Sequence, residues 1–121
     1  MNDKAKEILK KALHSTEQAV VDYVNENMAE EGRFEGFAYG FDLPFTENHM
    51  KYQFMADALS PEKSRRIAVG VFREGTDRLT SHYVFKGTKA EIIDFLKSEE
   101  GKEQIYASVI ELSDKTDDYW D

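Results

Sequence analysis

Cysteine is missing from this 121-residue chain and proline occurs only twice. Without cysteine there is no disulfide framework and no thiolate metal site. Nor is there a run of about 18 apolar residues, the length needed to span a bilayer. The opening residues, MNDKAKEILKKALHSTEQ, lack the uninterrupted apolar core of a signal peptide, so a cytoplasmic setting is expected. Basic residues are the minority: 16 Lys and Arg stand against 24 Asp and Glu, a formal net charge of -8. That balance opposes binding to nucleic acid, where affinity comes largely from Lys and Arg displacing counterions.

What is present argues for a packed core. Hydrophobic residues make up 40% and aromatic residues 12% of the chain, too much apolar surface for a disordered polymer. The length suits one α+β domain over 1–121, since single domains commonly run to ~100–150 residues. Charge is distributed unevenly: residues 1–32 carry a net -3, residues 33–87 a net +1 and residues 88–121 a net -6. The acidity therefore lies at the two ends.

Apolar residues recur at threes and fours from residue 3 to residue 29, through Leu9, Leu13, Val20 and Val24, which predicts one long amphipathic helix closed near Gly32. From Phe34 the period becomes two. Phe37, Tyr39, Phe41, Leu43 and Phe45 alternate with small or polar residues and predict a first strand over 37–45. After a loop at 46–49, Met50, Tyr52, Phe54 and Ala56 alternate with Lys51, Gln53, Met55 and Asp57 as a second strand, with a helix over 50–59 as the alternative. A connection around Pro61 leads to two extended runs separated by Gly75-Thr76, a pair suited to a type II′ hairpin turn. Centring the turn there sets Phe72 opposite Leu79, Gly70 opposite Ser81 and Ala68 opposite Tyr83. On the other side it sets Val71 opposite Thr80, Val69 opposite His82 and Ile67 opposite Val84. Thr88 with Glu91 forms a capping box that starts a helix, Gly101 is read as its breaker, and a third helix follows through Ile105, Val109 and Leu112. Residues 113–121, with Asp114, Asp117, Asp118, Tyr119 and Trp120, read as an acidic tail. The expected fold is a long N-terminal helix, a four-stranded antiparallel meander and two C-terminal helices in a two-layer sandwich.

The hairpin is apolar on both sides. Phe72, Leu79, Tyr83 and Phe85 occupy one, while Ile67, Val69, Val71 and Val84 occupy the other. Both sides want cover: the long helix takes one, and the other is met either within the chain, by the C-terminal helices or the Tyr119-Trp120 tail, or by a partner, since contiguous exposed apolar surface usually marks an interface. Phe72, Leu79, Tyr83 and Phe85 are accordingly the expected contact surface for a protein partner or a second copy of the chain.

Catalytic chemistry has little to stand on. His14, His49 and His82 have no convergent ligands of the kind zinc needs, and Asp114, Asp117 and Asp118 lack the spacing and glycine of a calcium loop. There is no nucleophile elbow and no phosphate loop, and Glu99 with Glu100 reads as a charged helix end. Arg65, Arg66, Arg73 and Arg78 interleave with Phe72 and Tyr83, but nearby Glu62, Glu74 and Asp77 offset them. No cofactor is expected. The leading expectation is a non-enzymatic interaction module. The alternative is a small-ligand pocket or weak enzyme between sheet and helix, lined by Tyr39, Tyr52 and His82. In outline the order of elements is similar to that of toxin-neutralising immunity proteins and secretion chaperones, an analogy of architecture that assigns no function.

Overall fold

The structure, a computed structural model, describes residues 3–32, 34–42, 50–58, 63–73 and 79–120, with side chains at all of these except 42, 50, 73 and 116–120. Helix α1 (Asp3–Asn27) opens the chain and buries Leu9, Leu13, Val20, Val21 and Val24, the stripe that its apolar spacing predicts. Strands β1 (Phe37–Asp42), β2 (Met50–Ala58), β3 (Arg65–Arg73) and β4 (Leu79–Gly87) follow, then α2 (Lys89–Lys97) and α3 (Glu99–Trp120). The strands form one antiparallel sheet in the order β1-β2-β3-β4, as expected of consecutive strands joined by short connections. The expected continuation of β1 to Phe45, the loop at 46–49, the Pro61 connection and the Gly75-Thr76 turn lie outside the described residues. Phe72 nevertheless pairs with Leu79, the register that a turn centred on Gly75-Thr76 sets.

Alternation along the strands sorts side chains into two faces. Tyr52, Phe54 and Ala56 of β2 and Ile67, Val69 and Val71 of β3 point to the helices and are buried with Leu9, Val24, Ile92, Leu96, Val109 and Leu112. At the β1 side the layer is closed by rings: Tyr23 of α1 meets Phe37 and Tyr39 edge-on, at centroid separations of 4.9 and 4.6 Å. α3 lies against β3 and β4.

Two local expectations are corrected. The β3–β4 register follows the predicted pairs from Phe72↔Leu79 to Ala68↔Tyr83 and then shifts, so that Ile67 pairs with Phe85 instead of Val84. A bulge at this point places two consecutive apolar residues toward the helices: Val84 is buried, and Phe85 stacks on Phe95 of α2. Phe85 therefore leaves the face on which alternation from Tyr83 had put it, beside Phe72 and Leu79.

The second correction concerns Gly101, which breaks nothing and sits in the first turn of α3. The break is at Ser98, whose extended backbone (φ -77°, ψ 150°) ends α2 while its hydroxyl accepts from the Gly101 amide at 2.9 Å. One residue thus closes one helix and caps the next. Glycine is required at 101 because a Cβ would lie 1.8 Å from the Phe95 carbonyl oxygen. α2 itself begins as predicted, with Thr88 and Glu91 in a reciprocal capping box that holds the Glu91 carboxyl below its ordinary range. The backbone read as a tail from residue 113 continues α3 to Trp120.

Candidate functional site

Among the described residues all three helices lie on one face of the sheet, and the other face is uncovered. Its composition follows from strand pairing. One transverse row holds Asp57, Arg66 and Lys86, the next Ala38, Met55, Ala68 and Tyr83, the next Gly40, Gln53, Gly70 and Ser81, and the last Asp42, Lys51, Phe72 and Leu79. Charged residues therefore stand at both ends of a strip of small and apolar ones. Leu79 is 41% and Tyr83 55% exposed, which marks them out because, among the described residues, the other large apolar side chains except Ile8 are at least partly withdrawn. Gly70 keeps this strip low. A Cβ there would lie 2.7 Å from Leu79 Cδ1 and 3.1 Å from Met55 Cε, so both side chains close over the bare backbone.

At one end of the strip the polar groups are organised. The Arg66 guanidinium forks onto Asp57, with Nε donating to Oδ1 at 2.5 Å and Nη2 to Oδ2 at 3.2 Å. Its carbon lies 4.1 Å from the centroid of the Tyr83 ring. Tyr83 Oη in turn donates to Asp57 Oδ2 at 3.3 Å. The hydrogen bond to Asp57 is the main reason the Arg66 pKa is raised above its ordinary value. Such a triangle fixes the rotamer of an exposed tyrosine, which lowers the entropy lost when the ring is covered. Beside it lies an open depression of about 280 Å³ with Ala68 in it and Met55, Asp57, Ser81 and Tyr83 around it.

A second polar cluster bridges α1 and α3. Tyr106 Oη donates to Glu17 Oε1, Lys102 Nζ lies 3.5 Å from Glu17 Oε2, and His14 Nδ1 lies 3.2 Å from the same oxygen. Glu17 also borders a small recess of about 20 Å³ shared with Tyr52, Leu13 and Leu96. A recess of that size holds about one water molecule. The cluster ties two helices across their seam.

The predicted residues divide as follows. Phe72, Leu79 and Tyr83 share the open face, and Phe85 lies on the other. Tyr39, Tyr52 and His82 all belong to the helix-facing side but do not converge. Tyr39 and His82 stand on the two edge strands, in a row through Phe54 and Val69, about 14 Å apart at ~4.8 Å per strand. Tyr52 is fully buried and stacks on Phe41 at 5.6 Å. His14 is exposed on α1, and His49 lies outside the described residues. Among the described residues no group of three or more His, Asp or Glu could hold a metal ion, and no helix is long and apolar enough to cross a membrane.

Two residues that matter most here escape a single-strand reading. Asp57 and Arg66 are polar positions on neighbouring strands, and only the β2–β3 register makes them partners. Arg65, named above with Arg66, Arg73 and Arg78, is wholly buried. Its Nε donates to Ala29 O at 3.0 Å and its Nη2 to Gly32 O at 2.9 Å, with Phe34 under the guanidinium. The chain significantly matches no protein-family profile, no curated protein and no solved structure.

Proposed function

We propose that this protein is a non-enzymatic interaction module that binds another protein through the open face of its sheet. The observation that carries this reading is the one-sided layering: three helices cover one face and leave Phe72, Leu79 and Tyr83 together on the other. A four-stranded face about nine residues long presents roughly 500 Å², within the range of patches that mark contact sites. It is less than the ~800 Å² per partner of a standard stable interface, so the surface suits a partner segment laid on the sheet better than a flat domain-on-domain contact. Arg66, Asp57 and Tyr83 support the same reading, because they engage one another and leave a rigid aromatic group standing at the rim.

A photo-crosslinking amino acid at Ser81, exposed within the face, tests this against the same group at Lys11, exposed on α1. The expected result in living cells is a defined adduct from position 81 that disappears when Leu79→Ser is added. An adduct at twice the chain mass would identify a second copy as the occupant. Equal labelling from both positions, or none from either, would overturn the reading.

A further inference from the structure

We infer that two copies of the chain join edge to edge through β1, making one continuous eight-stranded antiparallel sheet, an inference that stands apart from the open-face reading. β1 is an outer strand paired with β2 on one side, and among the described residues nothing bonds to its other side. The unpaired amides and carbonyls of such an edge are a template for a further strand, and folded proteins usually blunt them with lysine, proline or a bulge. β4, at the opposite edge, is blunted. It has the bulge, Lys86, and a Val84 carbonyl that already accepts from Gln104. β1, with the sequence FAYGFD, has none of these devices.

The occupant is a second copy because β1 is complementary to itself. In antiparallel pairing about a two-fold axis, residue i of one copy meets residue j of the other and j meets i. Side chains that meet must also lie on the same face of the sheet. An axis at Tyr39 satisfies both conditions: Tyr39 meets its own counterpart, Phe37 meets Phe41, and Ala38 meets Gly40. Rings then oppose rings on the helix side, and small residues oppose small ones on the open side. Aromatic pairs across strands are among those that stabilise a ladder. These rings have surface left to bury. Tyr39 and Phe41 lie 4.6 Å apart and are only half-buried, because α2 and α3 cover β3 and β4 while α1 reaches β1 through Tyr23. Six residues give about 20 Å of edge at ~3.3 Å per residue, a short contact that suits a dimer in the micromolar range.

The chain has no cysteine, so one introduced thiol reports the axis. Opposed residues of an antiparallel pair have Cα atoms about 4.5–5.5 Å apart, within disulfide range. Tyr39→Cys under mild oxidation is therefore expected to give a covalent dimer at twice the 14.0 kDa of one chain, while Ser81→Cys on β4 is not. Light scattering over a concentration series tests the contact without a covalent link. Ala38→Lys with Gly40→Lys sets like charges opposite each other and should weaken association about 10-fold, whereas Ala38→Lys with Gly40→Glu should restore it. Both positions accept a side chain: Ala38 is exposed, and a Cβ on Gly40 would meet only the Tyr52 carbonyl oxygen, at 3.9 Å. Circular dichroism checks that each variant is folded. Equal crosslinking from positions 39 and 81, a wild-type chain that stays monomeric to about 1 mM, or a dimer indifferent to the two lysines would each overturn the inference. A dimer abolished by Leu79→Ser but not by those lysines would assign the second copy to the open face instead.

Discussion

The rings of Phe85 and Phe95 stack with centroids 4.4 Å apart and planes 18° from parallel, joining β4 to α2. Tyr83, two residues earlier on the same strand, faces the opposite way over Arg66. Serine at these two positions should therefore have different consequences. Phe85→Ser is expected to cost about 2–3 kcal/mol, below the full value for a deeply buried ring because Phe85 is only partly covered. Tyr83→Ser should cost less than about 1 kcal/mol, since it loses one exposed ring contact and one long hydrogen bond. Urea denaturation of the two variants checks this. Equal destabilisation would mean that the two rings share a face.

How much of this was legible depended on whether a signal was local. The helix stripe, the strand alternation and the Thr88 capping box each lie within one segment, and each appears where spacing places it. The bulge does not announce itself, because Tyr83, Val84 and Phe85 are all apolar and the run looks the same with or without an inserted residue. It reveals itself only when Phe85 meets Phe95 and Gln104 donates to the Val84 carbonyl at 2.9 Å. Gly101 was misread for a related reason. A glycine that permits close approach between successive helices looks in sequence like one that ends a helix. The open face was half legible: its apolar members could be seen, but the Asp57–Arg66 fork needed a partner strand.

Arg65 holds the chain leaving α1 by donating to the carbonyls of Ala29 and Gly32, both beyond the helix end. Buried carbonyls and a buried guanidinium depend on one another, and removing one side leaves the other unpaired. Arg65→Ala is expected to destabilise the protein by about 3–5 kcal/mol. Arg65→Lys should restore only part of this, because an ammonium cannot reproduce the planar fork that reaches two carbonyls. Thermal unfolding followed by circular dichroism measures both, and full rescue by lysine would show that charge alone sufficed.

Gly101 and Gly32 make a controlled pair. At Gly101 an added Cβ would meet the Phe95 carbonyl oxygen at 1.8 Å and Ser98 Oγ at 2.9 Å, and the first of these is backbone that cannot rotate away. Gly101→Ala should therefore cost at least about 3 kcal/mol or force α2 and α3 apart. At Gly32 nothing lies within 4 Å of the Cβ position, and the only obstacle is a φ of +79°. Gly32→Ala should cost about 1–2 kcal/mol, the usual penalty for a left-handed alanine. Denaturant midpoints separate the two, and a Gly101→Ala variant as stable as Gly32→Ala would contradict the close approach.

Tyr52 gives the fold an alkaline limit. Complete burial pushes its phenol well above the ordinary value of 10.0, because the anion would lose its hydration inside the core. An unfolded chain releases this proton near pH 10, while the folded chain retains it. The native state then binds more protons than the unfolded state, so this contribution to stability is complete below about pH 10 and is lost as pH rises further, by up to about 1.4 kcal/mol per pH unit. Tyr52→Phe keeps the ring against Phe41 and removes the titration. The other tyrosines remain in both proteins, so the difference between wild type and variant isolates this group. Urea midpoints at about pH 8 and about pH 11 should fall more steeply for wild type than for Tyr52→Phe. Parallel declines would show that Tyr52 can ionise without unfolding, which a phenol enclosed in this core would not do.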